Sequence, residues 1–151
     1  MRLGFFGLEE LNFIEFNITG DDLNYQRLHE ESYYLESEVF NLFVSCFEKS
    51  NDLYEYFEPT KYNARKIVVL RNELSAFSES LNNIKTGDGF INFIDNQLWG
   101  KTFISILAKE DANWSEQWES YLSDFKDVNH KMISIVERCI DESRILWLIG
   151  Y

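Results

Sequence analysis

The chain has 151 residues, of which 45% are hydrophobic and 17% aromatic, with a single proline, so it holds enough apolar material for a packed core and is not intrinsically disordered. The length fits one domain spanning residues 1–151. A formal net charge of -12 argues against direct binding to nucleic acid or to an anionic membrane surface, because both carry negative charge of their own.

The N-terminal stretch Met1-Arg2-Leu3-Gly4-Phe5-Phe6-Gly7-Leu8 is apolar only briefly before Glu9-Glu10 interrupts it, too soon for the hydrophobic region of an export signal. No window approaches the roughly 20 apolar residues of a membrane span. A cytoplasmic protein is therefore expected, in which the sequons Asn17-Ile18-Thr19 and Asn113-Trp114-Ser115 carry no sugar. Ile14, Phe16 and Ile18 alternate with Phe13, Glu15 and Asn17, which suits a short, half-buried strand. Thr19-Gly20-Asp21-Asp22 then offers hydroxyl and carboxylate caps for a long helix reaching about Lys49.

Within that helix Ser32, Leu35, Val39, Leu42 and Cys46 fall on one face by their steps of three and four. Tyr33, Phe40, Val44 and Phe47 fall on the opposite face, which makes the helix either a central one sandwiched between two layers or the carrier of a partner-binding stripe. Residues 51–59 form an aromatic and acidic connection, after which Thr60 caps a second helix starting near Tyr62. Ile67, Leu70, Leu74, Phe77, Leu81 and Ile84 give this helix the rhythm of one that packs alongside another, and Thr86-Gly87-Asp88-Gly89 ends it.

Phe90, Phe93, Ile94 and Leu98 suit a short helix, and Phe103, Ile106 and Leu107 another after a break at Gly100; a β-hairpin is the alternative here. Trp114, Trp118, Tyr121, Phe125, Val128, Met132, Ile135 and Cys139 define a third long helix without a fault in its spacing. The apolar run Arg144-Ile145-Leu146-Trp147-Leu148-Ile149-Gly150-Tyr151 must be buried, as a helix or as a strand paired with the N-terminal one. Cys46 and Cys139 sit in apolar stripes, as buried reduced thiols do. The fold expected is all-α: a helical bundle of three long helices with short helices across it, and at most a minor two-stranded β element made by the chain termini.

Motifs that would carry chemistry fail on spacing. Gly100-Lys101-Thr102 imitates the end of a phosphate-binding loop, but the glycine required five positions earlier is Asp95. Gly87-Asp88-Gly89 reads as turn geometry needing positive φ. His29 and His130 give little material for metal binding, and Asp127 with His130 makes one imperfect copy of a motif that carboxylate-bridged metal bundles use twice. No catalytic set, metal site or cofactor is expected.

The charge is unevenly placed. Residues 1–60 carry thirteen acids against Arg2, Arg27 and Lys49, a balance of -10, mixed with tyrosines and phenylalanines. Carboxylates steer a cationic partner into encounter, and aromatic side chains anchor what has been captured. On this basis Glu30, Glu31, Glu36, Glu38, Glu48, Asp52 and Glu55 are the steering groups, with Tyr33, Tyr54 and Tyr56 as anchors. Nucleases are basic because they hold phosphates, and a protein that neutralises one is often acidic. In size, charge and lack of a catalytic motif the chain is similar to the immunity proteins of toxin-producing bacteria, although no motif residue of that kind is matched. The similarity implies a non-enzymatic inhibitor of a basic toxin or nuclease. Two other functions fit the same sequence: an adaptor or homo-oligomer joined through Tyr33, Phe40, Val44 and Phe47, and an enzyme whose carboxylates meet in an unrecognised pocket.

Overall fold

The computed structural model describes residues 3–6 and 12–151. Glu9 and Glu10, which interrupt the N-terminal apolar stretch, lie outside the described residues. The fold is mixed α/β and not an all-α bundle. Among the described residues five strands, β1 (Phe5–Phe6), β2 (Phe13–Asn17), β3 (Tyr33–Glu36), β4 (Thr60–Tyr62) and β5 (Leu146–Gly150), form one antiparallel sheet in the order β1-β3-β2-β5-β4. Six helices accompany them among the described residues: α1 (Ser37–Phe40), α2 (Val44–Ser50), α3 (Lys66–Asn82), α4 (Gly87–Asp95), α5 (Gly100–Glu110) and α6 (Trp118–Asp141), the last preceded by a 3₁₀ turn, Trp114–Gln117.

Residues 21–49 correct the sequence expectation most. Asp21 does act as a local cap, its Oδ1 accepting the amide protons of Leu23 and Asn24, but the chain continues as an irregular loop to Ser32. An aspartate that satisfies two successive amides makes a turn as readily as it starts a helix. Tyr33 to Glu36 then enter the sheet between β1 and β2, with Phe16 opposite Tyr33 and Ile14 opposite Leu35. The stripe Ser32, Leu35, Val39, Leu42, Cys46 is buried throughout, yet only Leu35 lies in a strand and Val39 and Cys46 in two short helices, with Ser32 and Leu42 in the bend and turn beside them. Phe40, Val44 and Phe47 of the other stripe are each 1% exposed or less, so that stripe is core and offers no subunit interface. Phe47 is ringed by Phe16, Phe40, Tyr54 and Tyr62.

The terminal strands are not a minor element but the middle of the sheet. β2 pairs on one side with β3 and on the other with β5, with Phe16 opposite Leu148 and Glu15 opposite Ile149. Period-two alternation puts Ile14, Phe16, Leu35, Leu146, Leu148 and Tyr62 on the face that joins the helices, where they enter the hydrophobic core. Phe13, Glu15, Asn17, Tyr34 and Ile149 point the other way and are also buried. The half-buried strand expected from residues 13–18 is therefore buried on both faces. Asn17, the acceptor of the first sequon, is fully buried and donates to Glu15 Oε1 at 3.1 Å and to the Gln26 carbonyl at 2.6 Å.

The cover on this outer face is residues 18–32, fastened to the strands by polar contacts. Glu15 Oε2 accepts from the Leu28 amide at 3.1 Å and from the Tyr151 hydroxyl at 2.7 Å. Tyr34 donates to the His29 carbonyl, Trp147 Nε1 to the Asp21 carbonyl and Lys61 Nζ to the Asp22 carbonyl. A β-strand thus stands at Thr60 to Tyr62, where the second helix had been expected to begin; Thr60 Oγ1 accepts from the Glu55 amide instead of capping a helix.

The remaining helices form where their spacing places them. α3 buries Ile67, Leu70, Leu74 and Leu81 against α6, which contributes Val128, Met132, Ile135 and Cys139. Asn129 sits in the same interface and donates to the Leu74 carbonyl at 3.1 Å. Thr86 does not end α3 but caps α4, its Oγ1 accepting from the Gly89 amide, and no described glycine has positive φ. Gly87 is small because the Trp118 ring packs 3.1 Å from where a Cβ would lie.

Cys46 and Cys139 are free and buried. Burial pushes the Cys46 thiol up to about 12 and the Cys139 thiol up to about 11, and it raises the phenols of Tyr54, Tyr62 and Tyr151 as well. In each case the fold favours the neutral form. That contribution is intact below the ordinary thiol value of 9.0 and is lost as pH rises toward the folded values. The urea midpoint is expected to be level just below pH 9.0 and to fall between there and about 11. A midpoint that stayed level across that interval would refute the assignment.

Candidate functional site

An exposed apolar cleft lies at the end of the sheet where β3 leaves and β4 enters. Three segments build it. Asn41 caps α1 and Glu48 lies on α2; Tyr56 and Phe57 come from the connection that leads into β4; Leu98 and Trp99 come from the turn between α4 and α5. Together they enclose about 480 Å³.

Tyr56 is fixed on the protein side. Its hydroxyl donates to Asn41 Oδ1 at 2.7 Å, and its carbonyl lies 2.9 Å from where a Cβ on Gly150 would stand. Burial raises its phenol, the hydrogen bond to Asn41 acts in the opposite direction, and the nearby Glu38 carboxylate raises it further. Phe57 meets the Tyr56 ring edge-on at 4.9 Å and is otherwise in solvent, 88% exposed. Leu98 and Trp99 are 50% and 56% exposed. Large apolar side chains gathered in one exposed concavity mark a binding surface far better than the same residues scattered singly.

Trp99 carries a second signal. Its backbone is left-handed, φ 63, a conformation costing a non-glycine residue roughly 1–2 kcal/mol. The turn that holds it there is tight: the Gln97 amide donates to the Ile94 carbonyl at 2.9 Å and the Gly100 amide to the Gln97 carbonyl at 3.0 Å. Strain retained beneath an exposed aromatic ring points toward use of that ring.

The rim is acidic. Among the described residues, Glu48 is the only charged one lining the cleft. Glu55 and Glu58 flank Tyr56 and Phe57 and are exposed, as is Asp52 on the same connection. None of Glu38, Glu48, Asp52, Glu55 or Glu58 is held in an ion pair among the described residues. Glu48 lies within electrostatic reach of Tyr54, whose phenol is raised first by burial and then by Tyr56 and Glu48. Tyr54 is half-buried against Phe47 and supports the connection from beneath.

The sequence-derived set therefore divides. Glu38, Glu48, Asp52, Tyr54, Glu55 and Tyr56 belong to the cleft or to the segments that build it, and Glu36 ends β3 just before α1. Glu30, Glu31 and Tyr33 lie toward the opposite end of β3. Tyr33 is already occupied by the protein's own cations: Lys131 Nζ lies 4.6 Å above its ring and Arg138 donates to its hydroxyl at 3.2 Å. An anchor for a cationic partner needs a free ring, and Tyr33 has none to offer. Asn41, Phe57, Leu98 and Trp99 were not among the residues selected from sequence. The available signal for Trp99 was a large aromatic residue directly before Gly100, in the turn between two amphipathic helices.

A cavity of about 510 Å³ opens near the start of α3, lined among others by Asp22, Arg65, Ser143 and Arg144. Of its two arginines, Arg144 is committed to Glu142 at 2.9 Å and to the Ile18 carbonyl at 3.3 Å. Asp127 and His130 are exposed on α6.

No protein-family model matches the chain, and no curated protein or solved structure is significantly similar to it. The similarity of type to immunity proteins thus gains no support from a shared family. No helix among the described residues is long and apolar enough to cross a membrane.

Proposed function

We propose that the protein is a non-catalytic, cytosolic binding protein that docks a basic protein partner in the cleft formed by Asn41, Glu48, Tyr56, Phe57, Leu98 and Trp99, and inhibits it by covering its cationic surface. The observation that supports this most is the coincidence of an exposed aromatic concavity with neighbouring carboxylates that form no ion pair among the described residues. Glu48 is the one carboxylate among the described lining residues, and the Tyr56 proton is held by Asn41 Oδ1, an arrangement that suits recognition of a cation better than proton transfer. The partner gains encounter rate from the rim and residence time from the rings.

The test is capture by the tagged protein beside its Trp99→Ser and Phe57→Ser variants, at low and high salt. A basic protein retained by the parent, released by salt and lost from both variants is the expected result. Equal recovery by the parent and the variants would remove the cleft from the function. Because both side chains are largely exposed, the variants are expected to keep the parent's stability to within about 1 kcal/mol.

A further inference from the structure

We infer that the group seated in the cleft is a guanidinium, an arginine side chain displayed on a turn of the basic partner, lying flat against the Trp99 indole with Glu48 as its counter-ion. This rests on the binding role proposed above and specifies its chemistry. Three kinds of anchor could enter a concavity of this size: an aliphatic side chain, an ammonium or a guanidinium. An aliphatic group would strip water from the Glu48 carboxylate and return nothing for it, which is costly for a charge. An ammonium would satisfy Glu48 but is compact and strongly hydrated, and so makes poor use of walls formed by Tyr56, Phe57 and Trp99.

A guanidinium is planar, weakly hydrated and rich in donors, and it stacks on aromatic faces while reaching a carboxylate with its edge. The polar atoms of the cleft suit those donors. The Tyr56 proton is committed to Asn41 Oδ1, which leaves the phenolic oxygen its lone pairs as acceptors, and Asn41 Oδ1 keeps a second lone pair. Lys49 and Lys101, adjacent in sequence to the site's segments, do not line it, and among the described residues no cation is paired with Glu48 in advance. Tyr33 shows the same protein satisfying an aromatic ring with a cation elsewhere, with Lys131 above the ring and Arg138 at the hydroxyl.

The experiment uses full-length isotopically labelled protein titrated with Nα-acetyl methylamides of arginine, lysine and leucine. The reporter is the Trp99 indole N–H resonance, assigned by its loss in Trp99→Phe. The arginine probe is expected to shift that resonance saturably and more tightly than either of the others, with Glu48→Gln weakening it about fivefold, the size of an exposed ion pair. Leucine binding as tightly as arginine, no response of Trp99 to any probe, or an unchanged arginine affinity in Glu48→Gln would each overturn the guanidinium assignment. Those outcomes leave the docking function standing if a basic partner is still captured through Trp99 and Phe57, so the two failures are told apart by the capture experiment.

Discussion

Glu15→Gln is expected to lower stability by about 3 kcal/mol, because it leaves buried donors without acceptors on the outer face of the sheet. Four donors converge on the two carboxylate oxygens. Oε1 takes Asn17 Nδ2 at 3.1 Å and the His29 amide at 3.4 Å; Oε2 takes the Leu28 amide at 3.1 Å and the Tyr151 hydroxyl at 2.7 Å. Glutamine keeps the shape but turns one oxygen into an NH2 group facing two of those donors. The side chain is fully buried, so water cannot repair the mismatch. Residues 18–32 are the cover of this face, which makes loosening of the loop the accompanying signature. Urea denaturation gives the stability, and amide exchange at Leu28 and His29 reports the loop. A variant within about 0.5 kcal/mol of the parent would mean that Glu15 does not hold the cover down. Tyr151→Phe removes only one of the four donors and is expected to cost about 1 kcal/mol.

This buried carboxylate also explains why much of the sheet was hard to see in the sequence. Phe13, Glu15 and Asn17 alternate with Ile14 and Phe16 as a strand should, but polar residues at alternate positions suggest a solvent-facing side. Here they face a loop that satisfies them. Residues 33–36 were harder still: Tyr33 to Glu36 make a strand only because β1 and β2 lie on either side, and their steps to Val39 and Leu42 imitate a helical stripe across what are three separate elements. Strand preference depends on such neighbours more than helix preference does. Where periodicity ran long, as in α3 and α6, it was reliable. α3 buries Ile67, Leu70, Leu74 and Leu81 and α6 buries Phe125, Val128, Met132, Ile135 and Cys139, as their spacing selects, and the two pack on each other; Phe77, Ile84, Trp118 and Tyr121 of the same rhythms are only partly buried.

The candidate site was legible in its charge and not in its shape. The excess of carboxylates before residue 60 named Glu48 and Tyr56, since composition is a local property. Leu98 and Trp99 reach the same cleft from some 40 residues further along, a meeting that only the packing of α4 and α5 produces. The same limitation hid the surroundings of Tyr33: nothing near it in sequence shows that Lys131 and Arg138 fold over its ring and hydroxyl.

Two adjacent substitutions in that turn should separate fold from function. Gly100→Ala is expected to cost about 3 kcal/mol or more, because the added Cβ would lie 1.8 Å from the Ile94 carbonyl oxygen, a backbone atom that cannot rotate away. The start of α5 must then move off the end of α4, carrying Leu98 and Trp99 with it, so partner affinity falls together with the urea midpoint. Trp99→Gly acts differently. Glycine accepts the left-handed backbone without strain, and that gain of about 1 kcal/mol offsets the lost contacts of a ring already 56% exposed. The variant should keep the parent's midpoint to within about 1 kcal/mol while losing the partner. If Trp99→Gly instead unfolded the protein as Gly100→Ala does, the indole would be a structural support of the turn, and the strain beneath it would need no functional explanation.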